Sequence, residues 1–210
     1  MDIRAHAYPQ TCRPDDPPSG SSPRSAVFLD RDGTLTEPRR YPSHPEDLVL
    51  QPGIAATLRA FQRNGTALVV VTNQSALARG LFDYNTLATM HSRLRDLLEG
   101  IGVKLDAIYT CPHHPHGSVP ALAITCACRK PRPGMLLRAA KELNIDLRKS
   151  WMIGDSLSDV QAGTSASTRT ALVSACRESV QGVKPDIWAS TTAKALTHAY
   201  RSRSSKNACT

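Results

Sequence analysis

The sequence predicts an α/β fold, a central parallel sheet with helices packed on both of its faces. Three observations predict it. Short runs of consecutive apolar residues, among them Ala26-Val27-Phe28-Leu29 and Ala67-Leu68-Val69-Val70-Val71, have the length and composition of strands buried on both faces. Other segments carry apolar residues at helical spacing. The two kinds alternate along the chain, the pattern of parallel strands joined by helical crossovers.

Residues 1–25, rich in Pro, Ser and charge, read as a flexible N-terminal extension. A first strand over 26–30 leads into a polar insertion, Thr36 to Pro52, dense in Pro and Arg. Gly53 to Arg63 reads as a helix, with Ile54, Leu58 and Phe61 at near-helical spacing. The second strand spans 67–71. Asp83 suits the N-cap of a helix running to about Glu99, with Leu87, Met90, Leu94 and Leu97/Leu98 on its core face. Leu105 to Thr110 forms a third strand. A helix at 134–143, a strand at 151–154, a short helix near 157–163 and a strand at 169–173 follow. Asp186 to Ala189 reads as an edge strand and Thr191 to Tyr200 as a last helix, before a basic tail, 201–210. One domain over 26–200 is expected, with no large cap domain, so the insertion and the loop 111–128 must shape any pocket.

Composition narrows the function. The chain has 210 residues, 40% of them hydrophobic, enough for a sizeable core. Its net charge of +8 invites a nucleic-acid reading. Yet Arg4, Arg13, Arg24, Arg201, Arg203 and Lys206 lie near the ends, with no recognition motif and no aromatic platform, so no nucleic-acid partner is expected. No stretch reaches membrane-spanning length and no secretory segment opens the chain. Cys12, Cys176 and Cys209 are scattered and do not suggest a disulfide framework, so a cytoplasmic protein is expected. Without a heptad seam or an apolar stripe, it reads as a monomer.

Chemistry concentrates at the strand ends. Asp30-Arg31-Asp32-Gly33-Thr34 puts two carboxylates two residues apart at the tip of the first strand, where open α/β sheets bind ligands. One can attack an electrophile while the other handles the proton. Thr72-Asn73-Gln74-Ser75 ends the second strand with donors suited to phosphoryl oxygens. Arg129-Lys130 offers a guanidinium fork and an ammonium to a dianion. Trp151 to Asp155 is a short apolar strand ending in an acid, and Asp159 follows as either a supporting acid or a helix N-terminal residue. A second signal is Cys111-x-His113, twelve residues, then Cys126-x-Cys128. Three thiols and an imidazole match a structural Cys₃His zinc site, with His114 and His116 as competing histidines. Four protein ligands leave no open position for substrate water, so the zinc would staple the loop.

In the order DRDGT, VVVTNQS, RKP and GDSLSD, these motifs resemble those of the haloacid dehalogenase superfamily of phosphohydrolases over roughly residues 26 to 175. Within it, VVVTNQSALARG, CPHHPHGSV, CRKPRPGMLL and GDSLSDVQAG look most like the heptose-bisphosphate phosphatases and next like the histidinol-phosphate phosphatases, which tend to have a shorter cysteine loop. The resemblance implies a three-layer Rossmann-like sandwich and a small phosphorylated sugar as substrate. It implies Asp30 as nucleophile and Asp32 as acid and base, with Thr72 and Lys130 holding the phosphoryl group. It further implies Mg²⁺ on the Asp30 carboxylate, the Asp32 carbonyl and Asp155, and Zn²⁺ on Cys111, His113, Cys126 and Cys128. Arg31, Tyr41, Asn73, Gln74, Ser75, Arg129 and Ser156 are the expected substrate contacts. Two departures stand out: Pro38-Arg39-Arg40 replaces the usual loop before Tyr41, and Ser156 stands where relatives often carry lysine. Arg39 or Arg40 is expected to supply the missing positive contact.

Overall fold

In the computed structural model, which describes residues 22–175 and 184–204, six strands form one parallel sheet. They are β1 (Ala26–Leu29), β2 (Ala67–Asn73), β3 (Ala107–Cys111), β4 (Trp151–Gly154), β5 (Arg169–Val173) and β6 (Ile187–Ala189). Their spatial order is β3-β2-β1-β4-β5-β6. The chain therefore moves outward from β1 to β3, then crosses back to lie on the other side of β1 at β4. The crevice outside the carboxyl ends of β1 and β4 is the point where the order reverses.

The helices are α1 (Ala55–Arg63), α2 (Ser75–Ala78), α3 (Tyr84–Gly100), α4 (Gly134–Glu142), α5 (Leu157–Ser165) and α6 (Thr192–Ser204). Side chains alternate across the sheet, so each face builds its own core. Val27, Leu29, Leu68, Val70, Trp151 and Ile153 face α1, α3 and α6, whose Leu58, Phe61, Met90, Leu94, Leu98 and Leu196 are buried against them. Ala26, Phe28, Val69, Val71 and Met152 face the other way, toward Met135, Leu136 and Ala139 of α4 and Ala162 of α5. The result is the three-layer α/β/α sandwich that the alternation predicts. Asp83 caps α3, accepting a hydrogen bond from the Thr86 amide at 2.8 Å.

Several boundaries differ from the sequence reading, and four of the differences have a clear structural cause or consequence. β2 runs two residues further, to Asn73, and α2 follows it, a single turn too short to show periodicity. β3 starts at Ala107, because the Asp106 carboxylate accepts from the Leu68 amide at 2.8 Å and pairs with Arg24 at 2.7 Å. Arg24 is thus no part of a loose extension: its backbone also bonds Asn144 and Asp146, at 3.1 and 2.9 Å. Arg201 and Arg203, expected in the tail, belong to α6, where the Arg203 guanidinium stacks 5.6 Å from the Phe61 ring and bonds the Thr66 hydroxyl. Residues 1–21, 176–183 and 205–210, with Arg4, Cys12, Arg13, Cys176, Lys206 and Cys209, lie outside the described residues. Among the described residues, no helix is long and apolar enough to cross a membrane.

α5 lies so close to the sheet that a Cβ at Gly163 would stand 2.7 Å from the Met152 Cβ and 2.8 Å from the Thr170 Cγ2. Gly163→Ala should cost about 1–3 kcal/mol through overpacking, against a helix-propensity gain of about 1 kcal/mol. Urea unfolding should show a lower midpoint with an unchanged slope.

Candidate active site

Asp30 leaves β1 directly into the crevice. Gly33, at φ +80°, turns the chain there, and a Cβ on it would sit 2.1 Å from the Asp155 Oδ2, so only glycine lets β4's acid approach. Carboxylate oxygens of Asp30, Asp155 and Asp159 all lie within 4.8 Å of one another. Lys130, 3% exposed, reaches in beneath them. Its Nζ donates to Asp30 Oδ1 at 2.8 Å and to the Val71 carbonyl at 2.7 Å, and stands 2.5 Å from Asp159 Oδ1. Burial opposes charge on Lys130, but Asp159 and Asp30 more than offset it and push its pKa up. Desolvation likewise raises Asp30 to about 7, Lys130 opposing and Asp159 and Asp155 adding to the rise. Asp155 is raised to about 6, by desolvation first and by Asp159 second.

One ammonium does not balance these acids. Three carboxylates converge, two of them with raised pKa values, which is the chemistry of an all-oxygen site short of positive charge. A hard divalent cation such as Mg²⁺ fits that donor set. Asp159 is committed elsewhere. Besides Lys130 it accepts from the Ser156 amide and hydroxyl, at 3.1 and 2.6 Å, as the third residue of the α5 capping box. It is both of the alternatives its sequence position allowed.

Asp32 is held from below. Arg31 Nε and Nη2 donate to its two oxygens, each at 2.8 Å, and Gln74 Nε2 donates to Oδ2 at 2.9 Å. Gln74 also joins Arg31 Nη2 at 2.9 Å and Thr72 Oγ1 at 2.8 Å. The Arg31 fork and the Gln74 amide, expected as substrate contacts, are instead engaged with Asp32, with Thr72 and with each other, so both side chains face inward onto Asp32. Behind Arg31, burial and then the Arg31 and Arg95 charges push His91 down to about 3, so its ring is neutral.

Asn73 also differs from expectation. Its side-chain amide exchanges two 3.1 Å hydrogen bonds with the Lys130 backbone, clipping the end of β2 to the Arg129-Lys130 turn. Ser75 opens α2, and Ser156 is the α5 N-cap. Arg129 donates to the His113 carbonyl at 3.2 Å. Tyr41 has φ +55°, unusual for a residue with a side chain, and its ring is flanked by the guanidiniums of Arg40 at 5.9 Å and Arg79 at 5.8 Å. Arg79, which also meets His114 Nε2 at 3.3 Å, was not foreseen: a lone arginine after a short helix carries no sequence signal.

Cys111, His113, Cys126 and Cys128 converge as expected. Their donor atoms lie 3.2 to 3.7 Å apart along the Cys111–Cys126, Cys126–Cys128, Cys128–His113 and Cys111–His113 edges. Donors about 2.0–2.3 Å from one tetrahedral ion would stand roughly 3.5–3.8 Å apart, so the set fits Zn²⁺. The sulfur spacings are far beyond a disulfide bond, and all three cysteines are free. Hydrogen bonding from the Cys111 thiol lowers Cys128 to about 5, which favours the thiolate a metal needs. Across the loop, Gly117 and Val119 lie on α2, with the Val119 amide 2.9 Å from the Ala78 carbonyl.

A Rossmann-like sheet carrying paired acids on β1, a buried lysine and a third acid on β4 defines a phosphohydrolase of the HAD-like class. The HAD-hydrolase-like family model matches residues 127–198. A D-glycero-beta-D-manno-heptose-1,7-bisphosphate 7-phosphatase of Yersinia pestis is 44% identical over 148 residues, 70% of this chain and 79% of that one. The chain belongs to that phosphatase family. Among solved structures, a HAD-like phosphatase from Mesorhizobium loti superposes with a TM-score of 0.77 at 37% identity, covering 87% of this chain and 88% of the other. The D,D-heptose 1,7-bisphosphate phosphatase of B. bronchiseptica, solved with magnesium and phosphate, gives a TM-score of 0.72 at 30% identity, covering 85% and 99%.

Cys128 is two residues from Lys130. Cys126→Ser should therefore remove one bound zinc by elemental analysis, lower Tm, and reduce phosphatase kcat by at least about tenfold.

Proposed function

We propose that the protein is a magnesium-dependent phosphatase that removes the C7 phosphate of D-glycero-D-manno-heptose 1,7-bisphosphate, acting as a cytoplasmic monomer. The observation that carries this reading is the convergence of Asp30, Asp155 and Lys130 at the β1/β4 crevice. The names of the relatives supply the sugar, and those of the curated ones the β anomer.

The chemistry follows from where the side chains stand. The Asp30 carboxylate attacks phosphorus as the bond to the C7 oxygen breaks, leaving an aspartyl-phosphate. The departing oxygen takes a proton from Asp32, and Asp32 later takes one from the water that cleaves the acyl-phosphate. The Asp30 and Asp155 carboxylates and the Asp32 carbonyl would hold Mg²⁺, whose positive charge would offset the repulsion between a carboxylate nucleophile and a phosphate dianion. Lys130 and the Thr72 hydroxyl hold phosphoryl oxygens, a positioning and electrostatic contribution. Arg129, Ser75 and Tyr41 line the substrate side. Arg39 is paired with Asp47 at 2.8 Å, so of the two arginines offered in place of a lysine at 156, Arg40 is the one left to meet the substrate.

Phosphate release with Mg²⁺ tests the reading against both anomers of the heptose bisphosphate and against histidinol phosphate. A preference of about a hundredfold in kcat/KM for the heptose bisphosphate is expected. Asp30→Asn should lower kcat by at least about 10³-fold. Turnover favouring histidinol phosphate would reassign the substrate; release that persists in Asp30→Asn would remove the nucleophile.

A further inference from the structure

Arg31 is the largest fully buried side chain among the described residues, a guanidinium placed under the site instead of in it. Its Nε and Nη2 grip both oxygens of Asp32 in a fork, while Gln74 closes a ring by accepting from Arg31 and donating to Asp32. The Gln74 amide is itself oriented by Thr72, so the ring is anchored in β2. A planar fork fixes the plane as well as the position of a carboxylate, which a point charge does not. Asp32 needs this. It sits in a turn after β1, its side chain is 25% exposed, and its carboxylate could otherwise rotate about two bonds. Proton transfer demands hydrogen-bond reach and alignment to the reacting oxygen. The arrangement is costly as a stability device: it buries a charge, and Arg31 Nη1 has no hydrogen-bond partner among the described residues.

We propose that Arg31, with Gln74, is a positioning residue that sets the orientation of the Asp32 carboxylate for proton transfer and makes no substrate contact. The proposal rests on the reading of Asp32 as proton donor and acceptor. It predicts a defect that depends on the leaving group. A sugar alkoxide needs a proton to depart; p-nitrophenolate does not.

The test is Arg31→Lys, which keeps the charge and loses the fork, measured in the magnesium-loaded full chain. On heptose bisphosphate, kcat should fall by about a hundredfold, the size of a general-acid contribution, with KM changed by less than about threefold. The pre-steady-state burst of p-nitrophenolate from p-nitrophenyl phosphate, which reports formation of the aspartyl-phosphate alone, should keep its rate. Equal slowing of the burst and of the sugar reaction would overturn the proposal, as would a rise in KM with kcat intact. In an Asp32→Asn background, Arg31→Lys should add nothing further; an additive loss sinks the positioning role and leaves Asp32 untouched. If Asp32→Asn alone turns over the sugar phosphate at the parental rate, the acid–base reading fails and the proposal with it. Should Arg31→Lys not fold, Gln74→Met removes the other half of the ring without stranding a buried charge, and must show the same leaving-group dependence.

Discussion

The buried Lys130 ammonium is the constraint on which the rest of the site depends. A cation removed from water must be compensated locally, and removing one partner of a buried ion pair typically costs about 3–5 kcal/mol. Its partners come from three separate segments: Asp30 beyond β1, the Val71 carbonyl in β2, and Asp159 in the first turn of α5. The side chain proposed to meet phosphoryl oxygens therefore also ties the β1/β2 half of the sheet to the β4 half. Gly154 is part of the same device, since a Cβ there would stand 2.2 Å from the Asp159 carboxyl carbon. Structure and chemistry draw on one ion-pair cluster, so neither can drift without the other.

How Lys130 arrives at that point is a separate matter, and the cysteine cluster answers it. The loop between β3 and α4 holds one short 3₁₀ turn, Pro120–Leu122, and little apolar surface, so it cannot order itself by burial. Cys111 ends β3, and Cys126 and Cys128 return the chain to within two residues of Lys130. Arg129 and Arg132 donate to the carbonyls of His113 and Cys126, and Gly134 lets the start of α4 pack 2.4 Å from the Ala127 carbonyl oxygen, measured from a hypothetical Cβ. Asn73 then fastens the turn to β2. A metal at the four ligands would thus act on catalysis by fixing a backbone, at a distance from any reacting atom.

Most of this was legible because the fold puts its chemistry at strand ends. Apolar runs that are buried on both faces announce themselves, and each is followed by the residues that matter: Asp30, Thr72, Asp155. Cys and His spacing exposed the second cluster for the same reason, that ligand geometry constrains sequence separation. What was hidden is orientation within turns. Nothing in Asp30-Arg31-Asp32 says that the arginine points inward, because a turn after a strand breaks the simple alternation that would have settled it. Gln74 and Asn73 look equally suited to substrate on paper; one caps Asp32 and the other the Lys130 backbone. The double role of Asp159 was also beyond sequence, since its partner is 29 positions away in the chain and the contact needs a glycine at 154.

The arginines around Tyr41 show where positive charge gathers when position 156 carries none. Ser156 cannot replace an ammonium at its position: its amide and hydroxyl both serve Asp159, and it caps α5. Positive charge is gathered elsewhere, where Arg40 and Arg79 flank the Tyr41 ring and Arg79 meets His114 of the cysteine loop. Tyr41 pays for its place with a positive φ, a strain that persists only where surrounding contacts hold it. These side chains come from the insertion, the end of α2 and the cysteine loop, and the last two also pack on each other through Gly117, Val119 and Ala78. On the proposed reading, a substrate's second phosphate meets these arginines with the group that does not react. Binding energy collected from a group that does not react is the same before and during phosphoryl transfer, so in the proposed mechanism it bears on KM, while the Lys130 cluster and the Asp32 ring bear on kcat. In that mechanism the two kinds of specificity are held by different residues, on different segments, and are open to separate change.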